Sequence, residues 1–452
     1  MNNNATTRPS YASLLKNKAP RELFKLVKGA AFVFTCRVAG AATVFVTQVL
    51  LARWMGAGEL GIYVLAFSWC TMLSALAVLG FPPSALRFIG NALALGKHQL
   101  IKGFIRSGTQ TIVALSLVVS LAGCAAIVMV EGLVPPTHET TMILAILSVP
   151  LFALLRWFVG VTYAYGWFLS AVVPDNLLRP LFLLLATATY WYWRPGIASD
   201  EVMLIHIGVV VLVLAALVMF MAKRLKPALA GLAPEYEYRL WIQAAVPLMI
   251  ITLFNNYFME VNIIIAGIHL EAEQLAVFNA SYRTAFMISL GIYAIDTITL
   301  PHAAKLFAKS ETAALESYIM RATRLKLAGA ILGMAILAVS GEYILGFFGA
   351  NFMHGYLALL ILAAGQLIIA AMGPLTQLLS ISGHQNHCFY VFFSTLIVLL
   401  ILHRLLIAHF GIDGAALAVV LVILTQSVWL YYIVVRHLNI HPAVFTFSKR
   451  PR

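Results

Sequence analysis

Among the charged residues inside the long apolar runs of this 452-residue chain are Arg37, Arg156, Arg179, Arg283 and Arg404 against Asp175, Glu260 and Asp296. A charge at bilayer depth is costly unless it faces a partner or a watery cavity, so such residues are the first candidates for function. Five cations against three anions leave the interior cationic. Guanidinium keeps its charge at any relevant pH and grips phosphate or carboxylate oxygens in a two-pronged way, where lysine offers a point charge. The chemistry on offer is the holding of an anion, a phosphorylated one included. Some of these charges have a plainer reading. Asp175 and Arg179, four apart, can pair along one helix. Arg404, beside His403 near the end of an apolar run, can snorkel. Asp296 is 13 residues from Arg283, about 220° around a helix, so the two share no face and Asp296 needs another partner.

Polar residues accompany these charges at helical spacing. Arg37 and Gln48 are eleven apart, three turns on nearly one face, with Thr47 beside them. Thr252, Asn256 and Glu260 form an i, i+4, i+8 stripe with Asn255 alongside. Arg156 and Tyr163 are nearly aligned, and Ser68, Thr71, Gln366 and Gln377 come from further runs. Interhelical hydrogen bonding explains single Ser, Thr and Gln residues. Unpaired arginines fit better with one shared cavity. Arg37, Arg283, Arg156, Gln48 and Asn256 are the candidate substrate contacts. Glu260, which can titrate if desolvated, and Asp296 are the candidates for coupling to an ion.

The elements that must position them are membrane spans. The chain is 62% hydrophobic and 10% charged, with mean hydropathy +0.92, whereas about a quarter of residues are charged in soluble proteins. The formal charge of +13 lies in short clusters between apolar runs rather than on one soluble face, which argues for topology and against a nucleic-acid partner. Residues 1–28 are polar and basic, and the apolar run that follows is too long for the core of a cleaved signal peptide. The four cysteines are unevenly spaced and suggest neither a disulfide framework nor a zinc site. His384, His387 and Cys388 are read as a polar turn rather than a metal site. No Walker A motif occurs, GNALALGKH at 90–98 being only a near miss, and no HExxH or GxSxG. No cofactor and no enzymatic activity are expected.

Twelve runs reach the length needed to span a bilayer: 29–52, 61–81, 104–130, 141–165, 174–193, 202–222, 240–266, 275–300, 325–348, 356–381, 388–409 and 414–435. With a cytoplasmic N-terminus, twenty-three of the thirty Lys and Arg residues fall in inside segments, two (Arg53 and Arg194) outside and five within spans. This bias places both termini in the cytoplasm. The Trp191-Tyr192-Trp193 run reads as an interfacial anchor. Pro150, Pro247 and Gly373-Pro374 lie within spans, as kinks or hinges.

The stretch from Leu51 to Arg106 recurs 215 positions later without a gap. Ala57 meets Ala272, Leu60 meets Leu275, Tyr63 meets Phe278, Met72 meets Met287 and Ser74 meets Ser289. A tandem duplication of a six-span unit follows, with both copies oriented alike. The expected organisation is a cytoplasmic segment 1–28, an N-lobe 29–222, a linker 223–239, a C-lobe 240–436 and a cytoplasmic tail 437–452. This is an all-α polytopic membrane protein with a central cavity between two lobes.

The run LLARWMGAGELGIYVLAFS, then LGFPPSALRF, then a basic loop resembles the oligosaccharide flippase family of the multidrug/oligosaccharidyl-lipid/polysaccharide (MOP) exporter superfamily. Its small-residue turn between spans one and two is matched here by Gly56 to Tyr63. Pro247, an acidic residue near NIIIAG, ALLILAAGQ and Ser382-Gly383 extend the resemblance over most of the chain. It implies a MATE-like two-lobe carrier that moves an undecaprenyl-diphosphate-linked oligosaccharide across a bacterial inner membrane by alternating access. It also implies a polysaccharide polymerase and a chain-length regulator as partners. Glu260 departs from the aspartate often found at its place. Two alternatives stay open. A cation-coupled drug exporter of the same superfamily would favour an acidic cavity. A membrane glycosyl polymerase or ligase would need a large outer loop, and the longest found, 131–140, is short. Lipid II flippases of the superfamily usually carry two further spans.

Overall fold

The computed structural model describes residues 11–384 and 386–444, with the side chains of 11–34, 250, 251, 254 and 255 outside that description. The basic side chains assigned to segment 1–28, the tail beyond 444, the side chain of Asn255 and Gln385 accordingly lie outside the described residues. Every regular element among the described residues is helical.

The first two expected spans are one element, α1 (Tyr11–Ala77), broken at Gly56, whose φ of 81° and ψ of 170° interrupt the helix. A short amphipathic α2 (Phe81–Ala94) leads into α3 (His98–Met129). The fourth span is α4 (Pro136–Leu147) and α5 (Val149–Ala164), which meet at Ser148 just before Pro150, where a helical hydrogen bond is lost. The fifth starts earlier than its hydropathy indicated, as α6 (Phe168–Val173), a wide π-helical turn (Pro174–Leu178) and α7 (Arg179–Trp193). The sixth, α8 (Ser199–Leu229), continues as helix into the segment expected to be linker.

The second half runs through α9 (Tyr238–Asn256), α10 (Phe258–Gly267), α11 (Ala272–Ala308) and α12 (Thr312–Gly346). A 3₁₀ segment (Ala350–Gly355) precedes α13 (Tyr356–Met372), and Gly373, with φ 81°, separates it from α14 (Leu375–Ile381). The last element, α15 (Asn386–Leu438), breaks at Gly411. Nine segments among the described residues are long and apolar enough to cross a membrane. The breaks at Gly56 and Gly411 divide two of them, which gives eleven of the twelve expected spans. At the seventh position stand α9 and the ten-residue apolar helix α10, which is shorter than a crossing.

The repeat is visible in the helix starts, α3 at His98 and α12 at Thr312. It diverges just before that point. In the first copy Leu79 (φ 48°) and Gly80 (φ 72°) turn the chain into α2, whereas α11 runs unbroken through the matching positions. Gly80 is required twice over: a Cβ there would lie 2.1 Å from the Ala245 carbonyl oxygen, so only glycine lets α9 approach. Corresponding helices of the two lobes also touch. A Cβ on Gly61 would lie 1.8 Å from the carbonyl oxygen of Ala272, its neighbour in the other lobe, the close approach that small residues allow in membranes.

Candidate functional site

The candidate residues gather in two centres. The first lies where the lobes meet. Arg283 on α11 donates from Nε to Asn279 Oδ1 at 3.1 Å, four residues back on its own helix. Asn279 is fully buried and donates in turn to Gln48 Oε1 of α1 at 3.1 Å. Gln48, on the same unbroken stretch of α1 as Arg37, is thereby linked through Asn279 to Arg283. From the N-lobe, Arg156 on α5 donates to the Thr71 carbonyl at 3.2 Å and to the hydroxyl of Tyr257. Its guanidinium also sits 4.7 Å from the centre of the Tyr257 ring. Tyr163, nearly aligned with Arg156 along the helix, packs instead on Phe168.

Arg179 completes this centre. It forms the expected pair with Asp175 at 2.9 Å, and its second arm reaches His206 Nε2 at 3.1 Å. Guanidinium can only donate, so Nε2 accepts and Nδ1 carries the proton toward the Tyr63 hydroxyl, 2.9 Å away. His206 is therefore the neutral tautomer with its hydrogen on Nδ1. Arg283 lies within electrostatic reach of Glu260, Tyr63 and Arg179, and Glu260 within reach of Arg283 and Arg156. Three arginines thus converge with two carboxylates. Only Arg179 among the three takes part in an ion pair among the described residues.

The second centre is a cavity of about 490 Å³ in the C-lobe, lined by Arg37, Asn256, Tyr293, Asp296, Lys326 and the amides of Gln366, Gln377 and Gln426 among others. Arg37 reaches in from α1 and stacks on Tyr293, its guanidinium carbon 4.7 Å from the ring centre. Its Nε is buried with no hydrogen-bond partner among the described residues. Such a group carries a desolvation cost that a ligand oxygen would relieve.

One expectation needs correction. The stripe of Thr252, Asn256 and Glu260 is not continuous, because the backbone leaves helical geometry at Tyr257 (φ −123°, ψ 16°) between α9 and α10. Asn256 faces the C-lobe cavity, while Glu260, on the next helix, falls under the influence of Arg283. Lys326, at the start of the ninth expected span, lies fourteen residues into α12 and is 2% exposed. It is the missing partner of Asp296, Nζ to Oδ1 2.7 Å. Arg404 is exposed beside the buried His403. The sequence did hold a signal for Asn279, which stands one turn before Arg283. Tyr257 and His206 carried none, since each depends on contacts between distant helices. No group of three or more His, Cys, Asp or Glu suited to a metal ion occurs among the described residues.

Several solved structures share this architecture. A multidrug resistance MATE family transporter of the MOP superfamily in an inward-facing conformation superposes with a TM-score of 0.71 at 12% identity, covering 88% of this chain and 92% of that one. The lipid II flippase MurJ in an inward closed conformation gives 0.71 at 14% identity, over 89% of this chain and 87% of that one. A MOP superfamily transporter from Pyrococcus furiosus, described as having a binding pocket of reversed polarity, gives 0.62 at 12% identity over 91% and 96%. At such identities these likenesses establish the fold, that of multi-pass membrane transporters. No curated protein sequence matches the chain. The model of the polysaccharide biosynthesis protein family matches residues 26–307, well over half of the chain, and the protein belongs to that family.

Proposed function

We propose that the protein is a flippase for a polyprenyl-diphosphate-linked oligosaccharide, moved across the bacterial inner membrane by alternating access of the two lobes. The observation that carries this reading is the convergence of Arg156, Arg179 and Arg283 where the lobes meet, with Asp175 and Glu260 as the carboxylates beside them among the described residues. A diphosphate needs several fixed donors of positive charge in a site of low dielectric, and guanidinium supplies them in pairs. The C-lobe cavity offers amides, Tyr293 and the unsatisfied Arg37 Nε to the sugars. The lipid tail stays in the bilayer.

Membership of the polysaccharide biosynthesis family and the likeness to a lipid II flippase support this substrate class. A cationic drug would meet like charge here. Glu260 and Asp296 are the groups through which an ion gradient would act, and both termini are cytoplasmic in this reading. A polysaccharide polymerase and a chain-length regulator are the partners that would receive the product.

Deleting the gene from its host tests the reading in vivo. Loss of surface polysaccharide with lipid-linked oligosaccharide accumulating on the cytoplasmic side supports it. Intact surface polysaccharide and no accumulation would overturn it.

A further inference from the structure

An apolar groove of about 530 Å³ opens on the flank of the N-lobe. Its walls are the α6 to α7 segment (Leu169, Val173, Leu178) and α8 (Leu212, Ala216, Phe220). One wall includes the π-helical turn Pro174–Leu178, where the helix is locally wider than an α-helix. Leu169 and Leu212 are 63% and 57% exposed, so the groove faces the hydrocarbon of the bilayer.

One end of the groove is not apolar. Arg224, a turn beyond Phe220 on α8, holds its guanidinium 5.1 Å from the Phe220 ring centre and 5.4 Å from that of Trp167. Trp167 and Phe220 themselves meet edge to face at 5.6 Å. Arg224 is exposed and takes part in no ion pair among the described residues. Lys223 and Lys226 flank it, both exposed. An aromatic pair thus fixes a cation at the mouth of a chain-sized apolar slot, and aromatic and basic residues at the end of an apolar helix suit the headgroup region of a bilayer.

We infer that this groove is a binding site for an anionic phospholipid, with the acyl chain between α6–α7 and α8 and the headgroup phosphate on Arg224. Charge selects this occupant. Three basic residues surround the mouth, and basic pockets between helices at a membrane face hold anionic headgroups. A zwitterionic lipid would fill the slot equally well but would gain little from the cluster. The inference rests on the membrane fold and not on the transported substrate.

Native mass spectrometry of the full chain, titrated with phosphatidylglycerol and with phosphatidylcholine of the same acyl chains, tests it. Phosphatidylglycerol is expected to be retained in preference. Arg224→Ala should weaken that retention roughly fivefold, matching the about 1 kcal/mol that one basic residue contributes near an anionic surface. Arg224→Lys should keep most of it and Arg224→Glu should abolish it. These exposed changes leave the fold untouched. Ala216→Trp, which fills the slot, should release both lipids. Equal retention of the two lipids, or no effect of Arg224→Ala, would overturn the inference. So would displacement of bound phosphatidylglycerol by equimolar undecaprenyl diphosphate, which would assign the groove to a polyprenyl carrier.

Discussion

Lys326 Nζ lies 2.7 Å from Asp296 Oδ1 across α11 and α12, and the lysine side chain is almost wholly buried. Both line the C-lobe cavity that Arg37 enters. Breaking a buried pair from one side leaves a charge without compensation, at a cost of about 3–5 kcal/mol. Asp296→Asn is therefore expected to lower the thermal unfolding midpoint in detergent by several degrees, and Asp296→Asn combined with Lys326→Met to recover much of the loss. A double variant as unstable as the single one would show that the pair does more than neutralise charge.

The close approach of α1 to α11 makes a second prediction. Gly61 faces the Ala272 carbonyl with no room for a Cβ, whereas Gly58 has nothing within 4 Å. Gly61→Val should abolish the monodisperse peak in size-exclusion chromatography, and Gly58→Ala should leave it intact. Equal behaviour of the two would remove the packing argument.

Arg53 links α1 to the end of α12. Its Nε donates to the Phe347 carbonyl at 2.5 Å, 294 residues away, where it also meets the negative end of α12. A cation at a helix C-terminus contributes about 0.3–1 kcal/mol. Phe45 and Phe348 pack beside it, ring centres 5.4 Å apart. Arg53→Ala should raise the reaction rate of a cysteine placed at Phe348 with a membrane-impermeant maleimide by a few fold, and an unchanged rate would mean that Arg53 does not hold this face shut.

Much of this architecture is written in local sequence. Apolar runs locate eleven of the twelve expected spans, because each needs only its own stretch of chain. The extents fail where a helix leaves the hydrocarbon. Polar helix and polar loop look alike to hydropathy, so α12 begins before its apolar stretch and Lys326 is hidden inside it. The partition into two centres fails for a different reason. The break at Tyr257 needs no proline or glycine, and it separates Asn256 from Glu260. The pairing of Arg156 with Tyr257, 101 residues apart, is fixed by tertiary packing alone.

Tyr257 separates two ways in which Arg156 is held. Tyr257→Phe keeps the ring under the guanidinium and removes the hydroxyl, so it should reduce transport less than Arg156→Ala does. A stacked cation–aromatic contact contributes about 0.5–2 kcal/mol, comparable to one hydrogen bond. Initial transport rates in reconstituted vesicles check the order. Equal loss in both variants would place the whole effect on the hydroxyl.

In the proposed function, arginines between the lobes hold the diphosphate of a lipid-linked oligosaccharide. The most direct measurement of this is translocation of a polyprenyl-diphosphate oligosaccharide across proteoliposomes, read by an enzyme that modifies the sugar only on the far side. The purified chain should make the sugar accessible, and Arg283→Ala should slow this at least tenfold while the variant stays folded. Wild-type rates in Arg283→Ala and Arg37→Ala alike, or no translocation by the intact chain, would contradict the account.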